Sequence, residues 1–412
     1  MTTELRVLDP AEYESWTEGL LRALLVDTEP PEERELWREL TEFDRSLAAW
    51  DGDDVVGSAS ALSFRMSVPG GAVVPTAGVT MVHVAATHRR RGLLRSMMRR
   101  QLDDIHEAGT EPLAALTASE PQIYGRFGYG LATRKLLADI DTSRVTLDVP
   151  PEADDVRLRF VADPASVWER CEAVYARRVG ARAGMLERGR LLHRLPLLDP
   201  ERQREGALPL ACVLAERDGE VTGYARYFAR DSSDAYGVPR GTVALRDLEA
   251  LDPASYGALW RYLFDLDLTT TLVAHNRPVD DAWQHMVSDV RQCGLRYRDA
   301  LFLRPVDVGA ALAARTYTVP VDVVLEVEDA FCPWNAGRWR LSGDAKGASC
   351  ERTRDGADVA LSVRELGAAY LGGESLGTMA FTGRVRELRE GALAAASSAF
   401  LSDPLPWLPH GF

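Results

Sequence analysis

The sequence predicts an α/β (α+β) protein with two tandem mixed sheets flanked by helices, followed by a smaller α+β domain. A strand, a basic glycine turn, a helix and another strand follow one another between residues 79 and 117, and this βαβ order requires parallel strands. The hairpin pattern of residues 46–64 returns at residues 210–227, which indicates an internal duplication. Beyond residue 306, alternating apolar residues and then helical spacing indicate a third domain.

The first region opens with two amphipathic helices, predicted over residues 14–25 and 32–41 from apolar side chains at helical spacing. Two strands follow over Ser46–Trp50 and Val55–Phe64. The Asp51-Gly52 pair between them is a strong hairpin signal, because glycine adopts the positive φ that a tight turn requires. The first sheet therefore begins as an antiparallel hairpin.

The βαβ unit follows this hairpin. Its first strand is predicted around Val79–Val84, its helix from about Gly92 to Ala108, and its second strand over Pro112–Thr117. The helix carries one apolar stripe and is followed by Gly109, where a C-terminal cap is expected.

The other two regions contain further helical and strand-like segments. In the second region these are residues 165–178, 187–195, 210–215, 221–227, 243–248 and 254–266. In the third they are residues 321–327, 337–342, 348–352, 357–362, 363–371 and 384–399. A linker rich in Pro, Glu and Asp lies near residues 149–155. The predicted domains are residues 1–148, 149–304 and 305–412.

The composition is 46% hydrophobic and 27% charged, with a formal net charge of −14. This acidity argues against nucleic acid as a partner, and it suits a cationic substrate as well as simple solubility. No apolar run approaches the roughly 20 residues that span a bilayer, and the N-terminus lacks a signal-peptide layout. The five cysteines include no CxxC pair, which disfavours disulfides or a metal site and predicts a reducing, cytoplasmic location.

The motif that carries chemistry lies in residues 82–95, VHVAATHRRRGLLR. A strand runs into a tight turn, and a helix starts at Gly92. Free N–H groups at a helix N-terminus bind phosphate oxygens, and glycine lets the backbone approach a diphosphate closely. The arginines add charge-assisted contacts. The alternative is a solvated basic cap, which is disfavoured because cations oppose the helix dipole at this end.

Arg89, Gly92 and Leu94 occupy the fixed positions of the GNAT acetyl-CoA signature, Arg/Gln-x-x-Gly-x-Gly/Ala, although Leu94 departs from the small final residue. Residues 75–78 (PTAG) and 123–130 (IYGRFGYG) sharpen the match. Together these segments resemble the Eis (enhanced intracellular survival) N-acetyltransferases of actinobacteria. The resemblance implies two fused GNAT folds, of which only the first binds acetyl-CoA, followed by a sterol-carrier-like domain, and it implies a homohexamer.

The resemblance also implies roles for individual residues. It assigns Tyr124 as general acid, the carboxylate of Phe412 as general base, and Asp27 and Trp37 to the amine pocket. No metal is expected. The implied acetyl-CoA-binding residues are Val82, His83, Val84, Arg89, Arg90, Arg91, Gly92, Leu93, Leu94, Arg95, Ser119 and Glu120.

These roles suit the chemistry of amine acetylation. An alkyl ammonium, with a pKa of ~10.4, must lose a proton to a base before it attacks. A tyrosine keeps its proton at neutral pH and can donate it to a departing thiolate. The chain end, residues 404–412 (PLPWLPHGF), can hold a carboxylate whose pKa is raised by burial. The alternatives are that Tyr124 only packs against the glycine-rich turn and that the tail only seals an interface.

The acceptor stays open at this point. Gly411 stands where pathogen-type members of the family carry an acid, and Met81 and Thr117 replace an aromatic residue and a histidine of their pocket. The main hypothesis is direct transfer to an aminoglycoside- or polyamine-like small molecule, since no cysteine lies near the motif to form a covalent intermediate. The alternatives are acetylation of a lysine in a protein or peptide, and a non-catalytic module that binds CoA or lipid.

Overall fold

A computed structural model describes residues 3–26, 29–189 and 191–412. The described strands are β1 (Glu4–Val7), β2 (Ser46–Asp51), β3 (Asp54–Ser67), β4 (Val73–Val84), β5 (Leu113–Thr117), β6 (Gly130–Leu131), β7 (Arg134–Asp141), β8 (Arg157–Val161), β9 (Ala211–Arg217), β10 (Glu220–Arg230), β11 (Gly241–Ala250), β12 (Thr269–Arg277), β13 (Arg296–Asp299), β14 (Leu301–Pro305), β15 (Val321–Glu328), β16 (Gly337–Asp344), β17 (Gly347–Arg352), β18 (Val359–Ser362) and β19 (Val385–Glu387). The described α-helices are α1 (Tyr13–Ala23), α2 (Pro31–Leu40), α3 (Leu93–Ala108), α4 (Trp168–Val179), α5 (Pro253–Phe264), α6 (Val308–Ala313), α7 (Val363–Ala369), α8 (Leu376–Phe381) and α9 (Ala392–Phe400). Within these ranges, no helix combines the length and apolar character needed to cross a bilayer.

The first sheet has the strand order β1-β2-β3-β4-β5-β14-β6. Strands β2, β3 and β4 pair antiparallel, and the β2–β3 turn contains Gly52 with a φ of 65°. Strands β4 and β5, which α3 connects, pair in parallel, so the predicted βαβ unit is confirmed. Helix α3 buries Met98, Leu102 and Ile105 in the core of this sheet. Each such side chain contributes about 1.5–3 kcal/mol through apolar burial.

Strands β4 and β5 pair over only part of their length. Their ladder joins Thr76–Gly78 to Leu113–Ala115, but β4 continues to Val84 and β5 to Thr117. The pairing of β4 with β3 also shifts register near Met81, whose φ is 52°. A bulge of this kind bends a strand and increases its twist. Strand β4 therefore parts from β5 and presents backbone N–H and C=O groups that β5 does not pair.

The second sheet, β13-β7-β12-β11-β10-β9-β8, follows the same plan. Strands β9, β10 and β11 pair antiparallel, while β11 and β12, connected by α5, pair in parallel. Gly57 pairs with Val84 in the first sheet, and Gly223 pairs with Ala250 in the second. The two Asp-Gly hairpins thus lead into equivalent strands, which supports the predicted duplication.

Two strands, β7 and β14, belong to the other sheet from the one that chain order suggests, and this is called here the exchange of strands. Strand β7 pairs with β12 and β13 in the second sheet, and β14 pairs with β5 and β6 in the first. One compact unit accordingly comprises residues 1–133, 300–406 and 411–412, and the other comprises residues 134–299 and 407–410. The boundaries predicted after residues 148 and 304 follow chain order, which carries no sign of this exchange.

The third sheet, β17-β16-β15-β18-β19, belongs to the first unit. Its strands β15 to β18 and its helix α7 lie where the sequence predicts them. The helix predicted over residues 384–399 is wrong at its beginning, because buried Val385 lies on β19, which pairs with β18. Helix α9 begins only after Gly391, whose φ of 81° separates strand from helix.

The helix predicted over residues 187–195 is also wrong. In the described part of this segment Leu191 has a φ of 72°, and a 3₁₀ helix runs over Leu192–Leu197. A left-handed residue interrupts the regular α-helical backbone. The apolar spacing there reflects burial of a compact irregular segment, with Leu192 among the buried residues.

Candidate active site

The N-terminus of α3 has the features of an anion site. Gly92 is its N-cap with a φ of 86°, no side chain caps the helix, and the first turn contains no acidic residue. A Cβ on Gly92 would meet no atom within 4 Å, so backbone conformation rather than space requires the glycine. The uncapped N–H groups and the positive end of the helix dipole together favour a bound anion.

A basic run surrounds this helix end. Arg90 has a φ of 64°, and the guanidinium of Arg95 lies 5.3 Å from the ring of Phe331. Leu93 and Leu94 are half-buried. The four arginines are all exposed: Arg89, Arg90, Arg91 and Arg95. Their charge is accessible to phosphate groups of a ligand, since exposed guanidiniums make bidentate contacts without a buried-charge penalty.

His88 anchors the turn in front of α3. Its Nε2 lies 3.0 Å from Oδ2 of Asp51, and its Nδ1 lies 2.9 Å from Oγ1 of Thr87. The His88 side chain is buried, with 8% of its surface exposed. No role for His88 can be assigned from sequence, although it lies inside the motif. Its partner Asp51 belongs to the Asp-Gly hairpin, which in sequence indicates only a turn.

Val82, His83 and Val84 lie on the part of β4 that β5 does not pair. Val82 and Val84 pack with the core on the α3 side. His83 is buried, and its Nδ1 lies 2.6 Å from Oγ of Ser58, which donates its proton to the carbonyl of Met81 at 2.5 Å. The Ser58 oxygen therefore accepts from Nδ1–H. The backbone of these strand residues can hold an amide-bearing arm much as it would hold an added strand.

Burial lowers the pKa of His83 to about 4, so the imidazole is neutral at physiological pH. Ser58 stands opposite His83 in the β3–β4 ladder and braces the bulge at Met81. Ser58 could not be recognised from sequence, because β3 contains several serines. The available sign is that a buried hydroxyl on a strand needs a hydrogen-bond partner.

Tyr124 lies in a 3₁₀ helix, Pro121–Phe127, directly after β5. Burial, and then the negative charge of Glu120, raise the pKa of Tyr124 to about 12. The phenol therefore keeps its proton throughout the physiological range. Its ring contacts Tyr129 edge to face, with centroids 6.2 Å apart. Ser119 and Glu120 are exposed at the start of this turn.

The last residue of the chain is seated on the first sheet. The ring of Phe412 meets the ring of Phe64 edge to face at 4.7 Å, and Oγ1 of Thr117 donates to a carboxylate oxygen of Phe412 at 3.4 Å. A Cβ on Gly78 would lie 2.1 Å from Phe64 and 3.2 Å from Phe412. Gly78 of the PTAG string therefore makes room for both rings.

One of the two residues expected in the amine pocket lies within the described part of the chain. Asp27 lies outside the described residues, and Trp37 is half-buried on α2. The carboxylate of Glu29, which the sequence analysis missed as part of an acidic, proline-bearing linker, is 12% exposed and lies 3.5 Å from Nε of Arg34. Burial, and then the charge of Glu33, raise the pKa of Glu29.

Most of these groups gather where β4 and β5 part. The anion site follows the end of β4, Tyr124 follows the end of β5, and Phe412 binds Thr117 at the end of β5. No described group of three or more His, Cys, Asp or Glu side chains is arranged to hold a metal ion. An anion site, an unpaired strand edge, a protonated phenol and a carboxylate are the parts that acyl transfer from a phosphorylated carrier requires.

Family models match three parts of the chain. Residues 4–132 and residues 184–305 each match an acetyltransferase (GNAT) domain, and residues 308–409 match a sterol carrier protein domain. The predicted fold of two GNAT domains and a C-terminal sterol-carrier-like domain is therefore confirmed.

The N-acetyltransferase Eis of Mycobacterium tuberculosis is 35% identical over 405 residues, which cover 93% of each chain. The chain belongs to the Eis family. A family relative from Streptomyces avermitilis, an uncharacterized N-acetyltransferase, is 64% identical over all of both chains. The crystal structure of Eis1 from Mycobacterium abscessus covers 100% of both chains with 34% identity and a TM-score of 0.84. This Eis-family protein is an N-acetyltransferase, and its GNAT fold implies acetyl-CoA as the acetyl donor.

Proposed function

We propose that this enzyme transfers the acetyl group of acetyl-CoA directly to an amine of a cationic small molecule, with Tyr124 as general acid and the carboxylate of Phe412 as general base. The observation that carries the proposal is the seat of the last residue. Its carboxylate accepts a hydrogen bond from Thr117 at the parting of β4 and β5. Chain ends usually fray, so a terminal carboxylate fixed at this position indicates a use for that group.

The donor is held by the groups already described. The uncapped N-terminus of α3 and the exposed arginines would bind the diphosphate. The backbone of Val82–Val84 would pair with the amides of the pantetheine arm, which brings the thioester to the parting of the strands. Ser119 and Glu120 flank the arm on the side of Tyr124.

The chemistry then needs three proton transfers. The substrate ammonium gives one proton to the Phe412 carboxylate, and the neutral amine attacks the thioester carbonyl carbon. As the C–N bond forms and the C–S bond breaks, Tyr124 gives its proton to the departing sulfur. The second amine proton returns to the Tyr124 oxygen through solvent, so the products are an amide, the free thiol of CoA and one released proton. The raised pKa of Tyr124 keeps it in the donating form.

The charge around the expected acceptor pocket supports a cationic substrate. Glu29 is a largely buried carboxylate whose pKa is raised by burial, and a cation beside it would offset that desolvation. The indole of Trp37 offers a face that attracts cations. The net charge of −14 adds a long-range field of the same sign.

Release of CoA thiol from acetyl-CoA and a panel of amines tests the proposal. We expect Tyr124→Phe, and separately a chain extended by Gly-Ser after Phe412, to lose about 100-fold or more in kcat, since acid–base groups contribute roughly 10²–10⁴. The matched control carries the same two residues at the N-terminus. Full activity of the C-terminally extended chain would exclude Phe412 as the base.

The panel itself tests the substrate class. It contains a polyamine, an aminoglycoside and a lysine-containing peptide. Small polycations should be acetylated with the lower KM, because the buried carboxylate and the indole match compact cations. Acetylation of the peptide alone would overturn the small-molecule part of the proposal.

A further inference from the structure

A buried ion pair lies beneath the turn that carries Tyr124. Arg304 on β14 is completely buried, and its Nη2 donates to Oδ2 of Asp329 at 2.5 Å. Its Nη1 donates to the backbone carbonyl of Phe127, the last residue of the 3₁₀ helix that carries Tyr124. One guanidinium thus joins that helix to the segment that follows β15.

The backbone of this turn is shaped around the guanidinium. Gly128 has a φ of 85°, and its N–H donates to the carbonyl of Gly125 at 3.1 Å. A Cβ on Gly128 would lie 1.6 Å from Nη1 of Arg304, so the cation occupies the space where a side chain would start. A cation at the carbonyl end of a helix is favourable, because those carbonyls lack partners and carry partial negative charge.

Asp329 is held as firmly as Arg304. Its Oδ1 accepts from the backbone N–H groups of Phe331 and Cys332 at 3.1 and 2.8 Å, and its Oδ2 accepts from Nδ2 of Asn335 at 3.2 Å. The carboxylate is buried, so its orientation is set by these donors. The pair is therefore a rigid brace rather than a loose surface contact.

Aromatic rings also contact the turn that carries Tyr124. The ring of Phe127 meets Phe331 edge to face at 5.1 Å, and Tyr129 meets Tyr124 edge to face at 6.2 Å. Phe331 belongs to the same short segment that orients Asp329. Phe331, and Asp329 that binds Arg304, thus come from the region that matches the sterol carrier protein domain, whereas Arg304 itself lies at the end of the second GNAT match.

We propose that the Arg304–Asp329 pair is the positioning device of Tyr124, so that the sterol-carrier-like domain sets the orientation of the acid. Arg304 and Asp329 act through the carbonyl of Phe127 and are positioning residues. The inference rests on the proposed role of Tyr124. Its structural part, the stiffness of residues 121–129, can be measured without turnover.

A double-mutant cycle tests the proposal. Asp329→Asn keeps an oxygen for the backbone N–H groups but removes the charge that orients Arg304. We expect kcat to fall about tenfold with an unchanged Kd for acetyl-CoA by calorimetry, and no further fall when the change is made in Tyr124→Phe, because coupled residues are not additive. Asp358→Asn is the control, since Asp358 also accepts from a backbone N–H and from an arginine, Arg389, in the same domain.

Hydrogen exchange provides the readout that is independent of catalysis. Amides of residues 121–129 should exchange faster in Asp329→Asn than in wild type or Asp358→Asn. An equal fall of kcat in both backgrounds, or unchanged exchange, would overturn the inference even in an active enzyme. An inactive wild type with faster exchange in Asp329→Asn would instead remove the proposed function and leave the brace standing. If Asp329→Asn does not fold, Arg304→Lys serves in the same cycle.

Discussion

In both seven-stranded sheets a parallel strand pair parts beyond a short ladder, β4 from β5 and β11 from β12. Val82–Val84 and Leu248–Ala250 occupy equivalent positions there, since each segment ends opposite a glycine on the strand that follows an Asp-Gly turn, Gly57 or Gly223. In the second sheet, Nη1 of Arg277 on β12 donates to the carbonyl of Leu248 at 3.0 Å. A side chain of the second sheet thus binds the backbone that corresponds to the proposed donor-binding backbone of the first sheet. In the first, β5 ends in Thr117, followed by Ala118, and neither is long enough to bridge.

The space where each strand pair parts is here called the slot. The helix that follows the slot also starts differently in the two sheets. Helix α3 begins uncapped at Gly92 among exposed arginines. Helix α5 begins at Asp252, whose carboxylate accepts from the N–H and the hydroxyl of Ser255, both at 2.9 Å. An internal carboxylate thus already occupies the N-cap position and satisfies one of the N–H groups that a phosphate would use. The second sheet pairs Glu249 with Tyr224 at the position where the first sheet pairs His83 with Ser58. Glu249 is buried, so the second sheet carries a further carboxylate at this position.

The second slot also holds a stretch of the chain itself. Asn276 donates to the carbonyls of Leu408 and Pro409 at 3.3 and 2.7 Å, and the N–H of Trp407 donates to the carbonyl of Ala183 at 2.9 Å. One architecture is thus filled by the chain's own residues in the second sheet and, as proposed, binds a phosphorylated carrier in the first, according to two local choices. These are the residue at the helix N-cap and the length of the side chain that faces the parted strand.

Removing Arg277 should have the largest effect. In Arg277→Ala, Asp281 would remain buried without the guanidinium that now binds it at 2.6 Å. Loss of one partner of a buried pair costs roughly 3–5 kcal/mol, which chemical denaturation will measure as a lower free energy of unfolding. Arg261→Ala, which breaks an exposed pair with Asp154, should cost under about 1 kcal/mol. Equal losses in both variants would show that Arg277 does not fill the slot structurally.

An aspartate at the N-cap of α3, like Asp252 at the N-cap of α5, should strongly weaken the binding of acetyl-CoA. In Gly92→Asp, a carboxylate would compete for the N–H groups at a φ of 86° that side chains rarely adopt. We expect the Kd for acetyl-CoA, measured by calorimetry, to rise on the order of 100-fold. Gly109→Ala strains the other end of the helix, where φ is 66°, and should leave the Kd unchanged. An unchanged Kd for acetyl-CoA in Gly92→Asp would show that the diphosphate does not bind at the N-terminus of α3.

His83 should make the first sheet sensitive to acid. Its pKa is lowered to about 4 in the fold, against ~6.5 in an unfolded chain. Between these values the unfolded chain takes up a proton that the folded one excludes, so stability falls as pH falls from 6.5 towards 4. By pH 5 the loss is about 2 kcal/mol. Unfolding measured from pH 7 to 5 should show a correspondingly smaller slope in His83→Gln, whereas exposed His285→Gln should match wild type.

Loosening the turn before α3 should have the smallest effect. His88→Ala removes the hydrogen bond to Asp51, and a net loss of about 1 kcal/mol corresponds to roughly a fivefold higher KM for acetyl-CoA. Asp51→Ala should give the same change, and the double variant should add nothing further. Additive effects would mean that the two residues act separately.

Much of the first sheet and of the backbone at the start of α3 could be predicted because local sequence determines them. The glycine at φ 86° before α3, the apolar stripe of that helix and the Asp-Gly turn each have a short-range physical cause. Phe412 could be assigned a role only through the family resemblance, since nothing in a Pro-rich apolar tail specifies which surface it meets. Its neighbours Phe64 and Thr117 are far away in sequence.

The other features that could not be predicted from sequence also depend on long-range contacts. Ser58, Arg277 and Arg304 are polar residues on strands, and their roles depend on partners that are far away in sequence. Strands β7 and β14 are not among the predicted strands, and alternation along them would show which faces are buried but not which sheet supplies the neighbour. Leu191 could not be recognised as left-handed, because leucine gives no sign of a positive φ.

The exchange of β7 and β14 has a consequence for how this protein can evolve. A gene shortened to the first GNAT region alone would encode a sheet without its member between β5 and β6, and the complementary part would lose the strand between β12 and β13. A truncation at the boundary between the two regions would therefore leave each piece with an incomplete sheet.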